Sequence, residues 1–135
     1  MAVRIPMNCL LDTCALLWLA DDPTRLPVEV RNQLAATDSL VHVSAISALE
    51  LGLKIARGKL QLPLPISQWF PAFCRRNELH VIPVDEAIAA ASSELPGIHL
   101  DPFDRLLIAT AILRQLTLVT PDATLQRYPD LKTLW

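Results

Sequence analysis

Glycine is scarce: three in 135 residues, at positions 52, 58 and 97. Loops that cradle phosphate need closely spaced glycines, so that backbone N–H groups can approach the ligand. P-loop and dinucleotide-binding fingerprints are therefore excluded. Cysteine is also rare and odd in number. Cys9, Cys14 and Cys74 have flanks that read as core strand or helix. That speaks against a disulfide framework and for a reducing, cytoplasmic setting. The three histidines, His42, His80 and His99, lie far apart in sequence with no metal-ligand spacing, and alternation points His42 and His80 outward from strands. No Ser/His/Asp or Cys/His motif is present. Long apolar runs are missing: the best candidates for a membrane span are interrupted by Glu50, Lys54, Asp104 and Arg105. The N-terminal stretch MAVRIPMNCLLD has one Arg and too short an apolar run for a signal peptide.

An excess of positive charge is lacking too. Twelve Lys and Arg against fourteen Asp and Glu give a net charge of −2 and a pI near 5.8. Taken alone, that opposes a nonspecific nucleic-acid binder, which is usually basic. An acidic balance is equally what a carboxylate cluster awaiting a divalent cation produces, because the bound cation reverses the local sign. What the chain has in plenty is apolar residues, 52%, with a mean hydropathy of +0.34. Its length suits one domain over 1–135.

Apolar runs predict strands at Asn8–Leu11, Leu40–Val43, Leu79–Ile82 and Thr117–Thr120, and an edge strand within Leu131–Trp135. Helical spacing predicts helices over Thr13–Ala20, Pro27–Ala36, Ala45–Arg57, Ile66–Arg76, Asp85–Leu95 and Pro102–Gln115. Ser44 caps one of these, Gly58 ends it, and Pro71 kinks or shortens the fourth. Strands alternating with helices predict a three-layer α/β sandwich with a central, mostly parallel sheet of four or five strands.

In such a sheet four acids reach one edge. Asp12 closes the first strand and Asp122 follows Thr117–Thr120. Asp104 opens the helix that runs back into that strand, and Glu50 lies between one and two turns into the helix after Leu40–Val43. Ligands of open α/β sheets bind at this carboxyl edge. Close carboxylates repel and raise one another's pKa, and a divalent cation relieves that. Oxygen ligands suit Mg²⁺ or Mn²⁺, whose natural chemistry there is phosphodiester hydrolysis. Bland roles compete. Asp101 fits an N-cap before Pro102, Asp104 and Asp122 fit first-turn acids, and Glu50 can pair with Lys54 at i,i+4. Asp12 has no evident capping role. Ser47, Glu50, Lys54 and Arg57 form a narrow polar stripe: either a solvated face, or a cleft wall with Glu50 on metal and Lys54 and Arg57 toward substrate phosphates.

The segments Leu10-Leu11-Asp12-Thr13, Val43 to Glu50, Asp101-Pro102-Phe103-Asp104-Arg105-Leu106-Leu107-Ile108-Ala109 and Leu118-Val119-Thr120-Pro121-Asp122 resemble the successive motifs of VapC-type PIN-domain toxins. Lys54 to Leu60 and the closing Leu134-Trp135 are similar to that family as well. The resemblance implies a PIN-like fold and an Mg²⁺- or Mn²⁺-dependent endoribonuclease that cleaves RNA, tRNA being the favoured substrate, by metal-activated water. It further implies a cognate VapB-type antitoxin and a homodimer. The family's catalytic and metal-binding acids fall on Asp12, Glu50, Asp104 and Asp122, with Thr13 and Thr120 as supporting hydroxyls. Two departures are Cys14, where relatives often have His, and Pro121.

Two rival readings remain open at this stage. One is another Mg²⁺-dependent phosphoryl-transfer enzyme, a phosphatase or a receiver-like phosphoacceptor; the D-x-D-x-T motif and the receiver lysine are both absent. The other is a noncatalytic binding module. The stripe Ile66, Trp69, Phe70, Phe73, with Trp18 and Leu19, is more apolar surface than a small domain usually exposes, and predicts cover by a partner chain.

Overall fold

A computed structural model describes residues 7–135. Residues 1–6, the first half of the stretch weighed as a signal peptide, lie outside the described residues. Five strands form one sheet: β1 Asn8–Leu11, β2 Leu40–Ser44, β3 His80–Ile82, β4 Thr117–Val119 and β5 Thr133–Leu134. Their order is β3-β2-β1-β4-β5, and every pairing is parallel. The helices are α1 Thr13–Asp21, α2 Val28–Ala35, α3 Ala45–Ala56, α4 Ile66–Arg76, α5 Glu86–Glu94 and α6 Pro102–Arg114.

Alternation along the strands divides the core in two. Cys9, Leu11, Val41, Val43 and Val119 pack with residues of α1, α2, α3 and α4, while Leu10, Ile82 and Leu118 pack with α5 and α6. Both faces of the sheet are thus covered. Continuous apolar strands such as Cys-Leu-Leu are what doubly covered parallel sheets require. This is the expected three-layer sandwich. All three cysteines are free thiols.

Local chemistry explains most boundaries. The Ser44 hydroxyl caps α3 through the Ile46 N–H at 3.1 Å. At the other end Gly58 has φ +71°, its N–H reaches the Ile55 carbonyl, and the Lys59 N–H reaches the Lys54 carbonyl. This is a Schellman ending, which needs a left-handed residue after the helix. Gly58→Ala meets no clash there, but still carries the left-handed penalty. It should cost about 1 kcal/mol and lower the melting midpoint by roughly 3–5 °C; an unchanged thermal melt would refute the motif's contribution.

Three expectations need correction. Pro71 does not shorten α4, which runs on to Arg76; Pro71 is exposed, so its ring faces outward. The stripe on that helix is not free for a partner. Trp69 and Phe70 are 8% and 6% exposed, and Trp69 stacks on Phe73 at 4.9 Å. Trp18 is covered in part by Trp135, with ring centroids 5.5 Å apart, and by the Arg25 guanidinium 4.1 Å above its ring. The large apolar side chains that do face outward lie elsewhere, among them Leu49, Leu100 and Leu113. No helix among the described residues is long and apolar enough to cross a membrane.

Candidate active site

The sheet order dictates the site. β1 is central, with Leu11 in register with Val43 on one side and Val119 on the other. The next residue of each strand path, Asp12, Ser44 and Thr120, therefore ends at the same level. The Asp12 N–H bonds the Val119 carbonyl at 3.0 Å and fixes that level. From this edge α3 carries Glu50 upward, α6 presents Asp104 in its first turn, and Asp122 follows β4.

Asp12 is buried, with 6% of its surface exposed. Burial pushes its carboxyl up from 3.8 to about 6. The Thr120 hydroxyl and the Ala15 N–H oppose that rise, and the negative charges of Asp104 and Glu50 add to it. Glu50 is also raised, first by burial and then by Asp104; the Thr13 hydroxyl and the Lys54 charge oppose this. Asp104 is raised by burial, against the hydrogen bond from His99, with Asp101 and Asp122 adding negative charge. Four acids from four elements thus share one field.

Asp12 does have a capping role, contrary to expectation. Its Oδ1 accepts the Ala15 N–H at 2.7 Å, at the N-cap of α1. The reason is topological: Asp12 is the single residue between β1 and α1, so it occupies the N-cap. Asp101 caps α6 through Phe103 at 2.8 Å and Asp104 at 3.4 Å; it is exposed and contributes charge rather than contact to the other acids. Asp122 caps the 3-10 turn Ala123–Arg127 through Thr124, so the turn begins two residues after Pro121.

The stripe on α3 is not a solvated face. Ser47 is fully buried and hydrogen-bonded to Thr13 at 2.9 Å. Glu50 and Lys54 are half-buried and Arg57 is exposed. The ion pairs among the described residues are His99–Asp104 and Arg114–Asp85, so Glu50 and Lys54 do not make the i,i+4 contact. Thr13 and Thr120 both reach carboxylates. Thr120 additionally accepts the Asp122 N–H at 3.1 Å, tying two of the acids to one hydroxyl.

Histidine at the site was missed. The Nε2 of His99 lies 2.7 Å from Asp104 Oδ2, and His99, Asp104 and Asp122 bring ligand atoms within 4.8 Å of one another. His42 and His80, far apart in sequence, stand side by side on β2 and β3 with ring centroids 5.5 Å apart, and His42 Nδ1 bonds the Cys9 carbonyl. The available signal for His99 was its place two residues before the Asp101 cap.

The donor set fits a hard divalent cation. Glu50 Oε1 is buried with no hydrogen-bond partner, a state that costs free energy unless something positive faces it. The surrounding donors are carboxylate oxygens and one imidazole, and mutual repulsion already disfavours their ionisation. A parallel sheet with acids gathered at its carboxyl edge is the layout of a PIN domain. The chain belongs to the PIN-domain family, whose sequence model matches residues 9–131. Within that family it is similar to ribonuclease VapC22 of Mycobacterium tuberculosis, at 32% identity over 129 residues, 93% of this chain and 97% of that protein. The VapC-type resemblance of the motifs is thereby upheld. In structure it is similar to VapBC2 from Rickettsia felis bound to a promoter DNA fragment, with a TM-score of 0.73 at 22% identity, covering 96% of this chain and 99% of that one. DNA-bound VapBC from Salmonella typhimurium gives 0.71 at 20% identity, covering 96% and 98%.

Proposed function

We propose that the chain is an Mg²⁺- or Mn²⁺-dependent endoribonuclease, the toxin of a VapBC-type pair, with one nuclease unit spanning 1–135. What supports this is the mutual repulsion of Asp12, Glu50 and Asp104 and the close approach of Asp104 to Asp122, with Glu50 Oε1 left without a protein partner. The relative's name, a ribonuclease, selects RNA among phosphodiesters.

In this reading Asp12, Glu50 and Asp104 hold the cation, and Asp122 completes the set. A bound Mg²⁺ or Mn²⁺ would supply charge neutralisation at the scissile phosphate and lower the pKa of attacking water. The chain's residues do the rest. Thr13 and Thr120 orient Glu50 and Asp12 by hydroxyl contacts. Asp101 keeps α6 capped so that Asp104 stays in its first turn. Lys54 and Arg57 rise along α3 from the carboxylates outward, a course suited to RNA phosphates on either side of the cut.

If so, Lys54→Ala and Arg57→Ala should each weaken RNA binding while leaving the fold intact. Each should lower the slope of log affinity against log salt by about 0.7–1, measured by fluorescence anisotropy over a salt series. Unchanged slopes in both variants would remove these cations from the interface.

The partner follows from the VapBC names of the structural neighbours: a VapB-type antitoxin, and a cytoplasmic setting where RNA and antitoxin meet. A homodimer and a tRNA substrate belong to the same reading. Sequencing of cleaved RNA ends after induced expression, with and without the neighbouring small protein, tests it. Metal-dependent cuts suppressed by that protein are expected. Intact RNA throughout, or a trapped phospho-Asp12 species, would overturn it.

A further inference from the structure

We infer that His99 is a positioning residue for Asp104, and that Arg105 and Tyr128 exist to hold His99 in place. The inference rests on the cation-binding reading above and names which neutral contacts build that site.

Asp104 enters the cleft from the first turn of α6 with both carboxylate oxygens free to rotate about the Cβ–Cγ bond. His99 removes that freedom: its Nε2 meets Oδ2 at 2.7 Å. Facing a carboxylate, that ring nitrogen carries the proton and donates. One oxygen is thereby spoken for, and the carboxylate is fixed where its ligand atoms lie within 4.8 Å of those of Asp122.

His99 sits in a connection without regular structure, Pro96 to Asp101, which would ordinarily be mobile. Here its backbone is held from two sides. The Tyr128 hydroxyl, buried, accepts the His99 N–H at 2.7 Å and donates to the His99 carbonyl at 3.1 Å. The Arg105 guanidinium donates to the carbonyls of His99 and Pro96 at 3.0 Å, Leu95 at 2.9 Å and Ser92 at 3.1 Å. An arginine one residue past an acidic ligand would ordinarily be assigned to phosphate. This one spends its donors on carbonyls, a fork that lysine's single ammonium cannot reproduce. Arg105 ties the His99 carbonyl to the last carbonyls of α5, and Tyr128 clamps both backbone groups of His99, so the two side chains converge on the place of one imidazole.

Second contacts of this kind typically hold metal affinity up by about 10–100-fold. The test is Mn²⁺ titration of the whole, RNA-free chain by calorimetry, below the melting midpoint of each variant. His99→Ala should weaken Mn²⁺ binding by about 10–100-fold. His99→Gln, whose amide nitrogen can donate to the same oxygen, should recover most of it. Arg105→Lys should weaken binding, and the pair H99A/R105K should be no worse than H99A alone, since Arg105 acts through His99.

Wild-type affinity in His99→Ala overturns the inference. So does His99→Gln as weak as His99→Ala, which would make the imidazole a direct ligand, and so does a double variant showing the product of both losses. A wild-type chain that binds Mn²⁺ but cuts no RNA would sink the proposed function and leave this inference standing. One that binds no Mn²⁺ overturns both.

Discussion

Asp12→Asn is expected to abolish RNA cleavage and, in the same protein, to raise the melting midpoint measured in chelator. The two effects have one cause. Asp12 is buried, its carboxyl is pushed up to about 6, and Asp104 and Glu50 add like charge. Keeping it ionised at neutral pH therefore costs the metal-free fold roughly 3 kcal/mol, from a rise of about two pKa units at 1.36 kcal/mol each. Asparagine has the same shape and no charge, and it caps helices about as well as aspartate. The bond to the Ala15 N–H can be kept, so the strain goes and the cap stays. A gain of about 10 °C should follow. Cleavage should fall by about 10³-fold or more, because a buried carboxylate of the acid cluster can no longer neutralise a cation. Asp12→Ala separates the terms: it should lose cleavage equally but forfeit about 1 kcal/mol of capping. Undiminished metal-dependent cleavage by Asp12→Asn would end the site assignment. An unchanged midpoint would end the electrostatic account of Asp12 while leaving the assignment open to other tests.

The layout of this site was legible because it follows from strand direction alone. Parallel strands place Asp12 and Asp122 at one edge whatever the side-chain details, and a helix feeding back into β4 must begin beside them. Caps were legible where residue type is decisive, as with Ser44, Asp101 and Gly58. Asp12 was misjudged although the expected bounds, a strand ending at Leu11 and a helix starting at Thr13, already left it at the N-cap position. His99 was invisible for a different reason. Its contact with Asp104 depends on a loop path fixed by Arg105 and Tyr128, and none of that is encoded in a spacing. The stripe on α4 misled because periodicity shows that one face is apolar without showing what covers it. Here the core between the sheet and α1–α4 takes Trp69 and Phe70.

Without divalent cation, the protein should become less stable as pH rises from about 4 to about 6, the reverse of ordinary acid denaturation. In the folded chain Asp12 keeps its proton up to about 6, whereas its ordinary value is 3.8. Between those values the folded state binds more protons than the unfolded state, so unfolding free energy falls with rising pH. The contribution is fully present below the lower value and is lost through the upper one. Its size is roughly 3 kcal/mol, or about 10 °C in midpoint for a chain of this length. Glu50 and Asp104 are raised as well and add in the same direction. Asp22, held low by Thr24, works oppositely but is fully exposed. Saturating Mg²⁺ or Mn²⁺ should offset most of the trend. A cation competes with protons for the same oxygens and binds only the assembled cluster, adding about 2.7 kcal/mol at a hundredfold excess over its dissociation constant. Thermal melts near pH 4 and pH 7, each with chelator and with cation, give four midpoints that decide the matter. The chelated pair should descend with pH, and the cation pair should descend clearly less. In Asp12→Asn the chelated descent should shrink to what Glu50 and Asp104 supply. A chelated wild-type protein that melts higher at neutral pH than near pH 4 would contradict the shared field of these acids. Equal midpoints with and without cation at neutral pH would contradict their purpose.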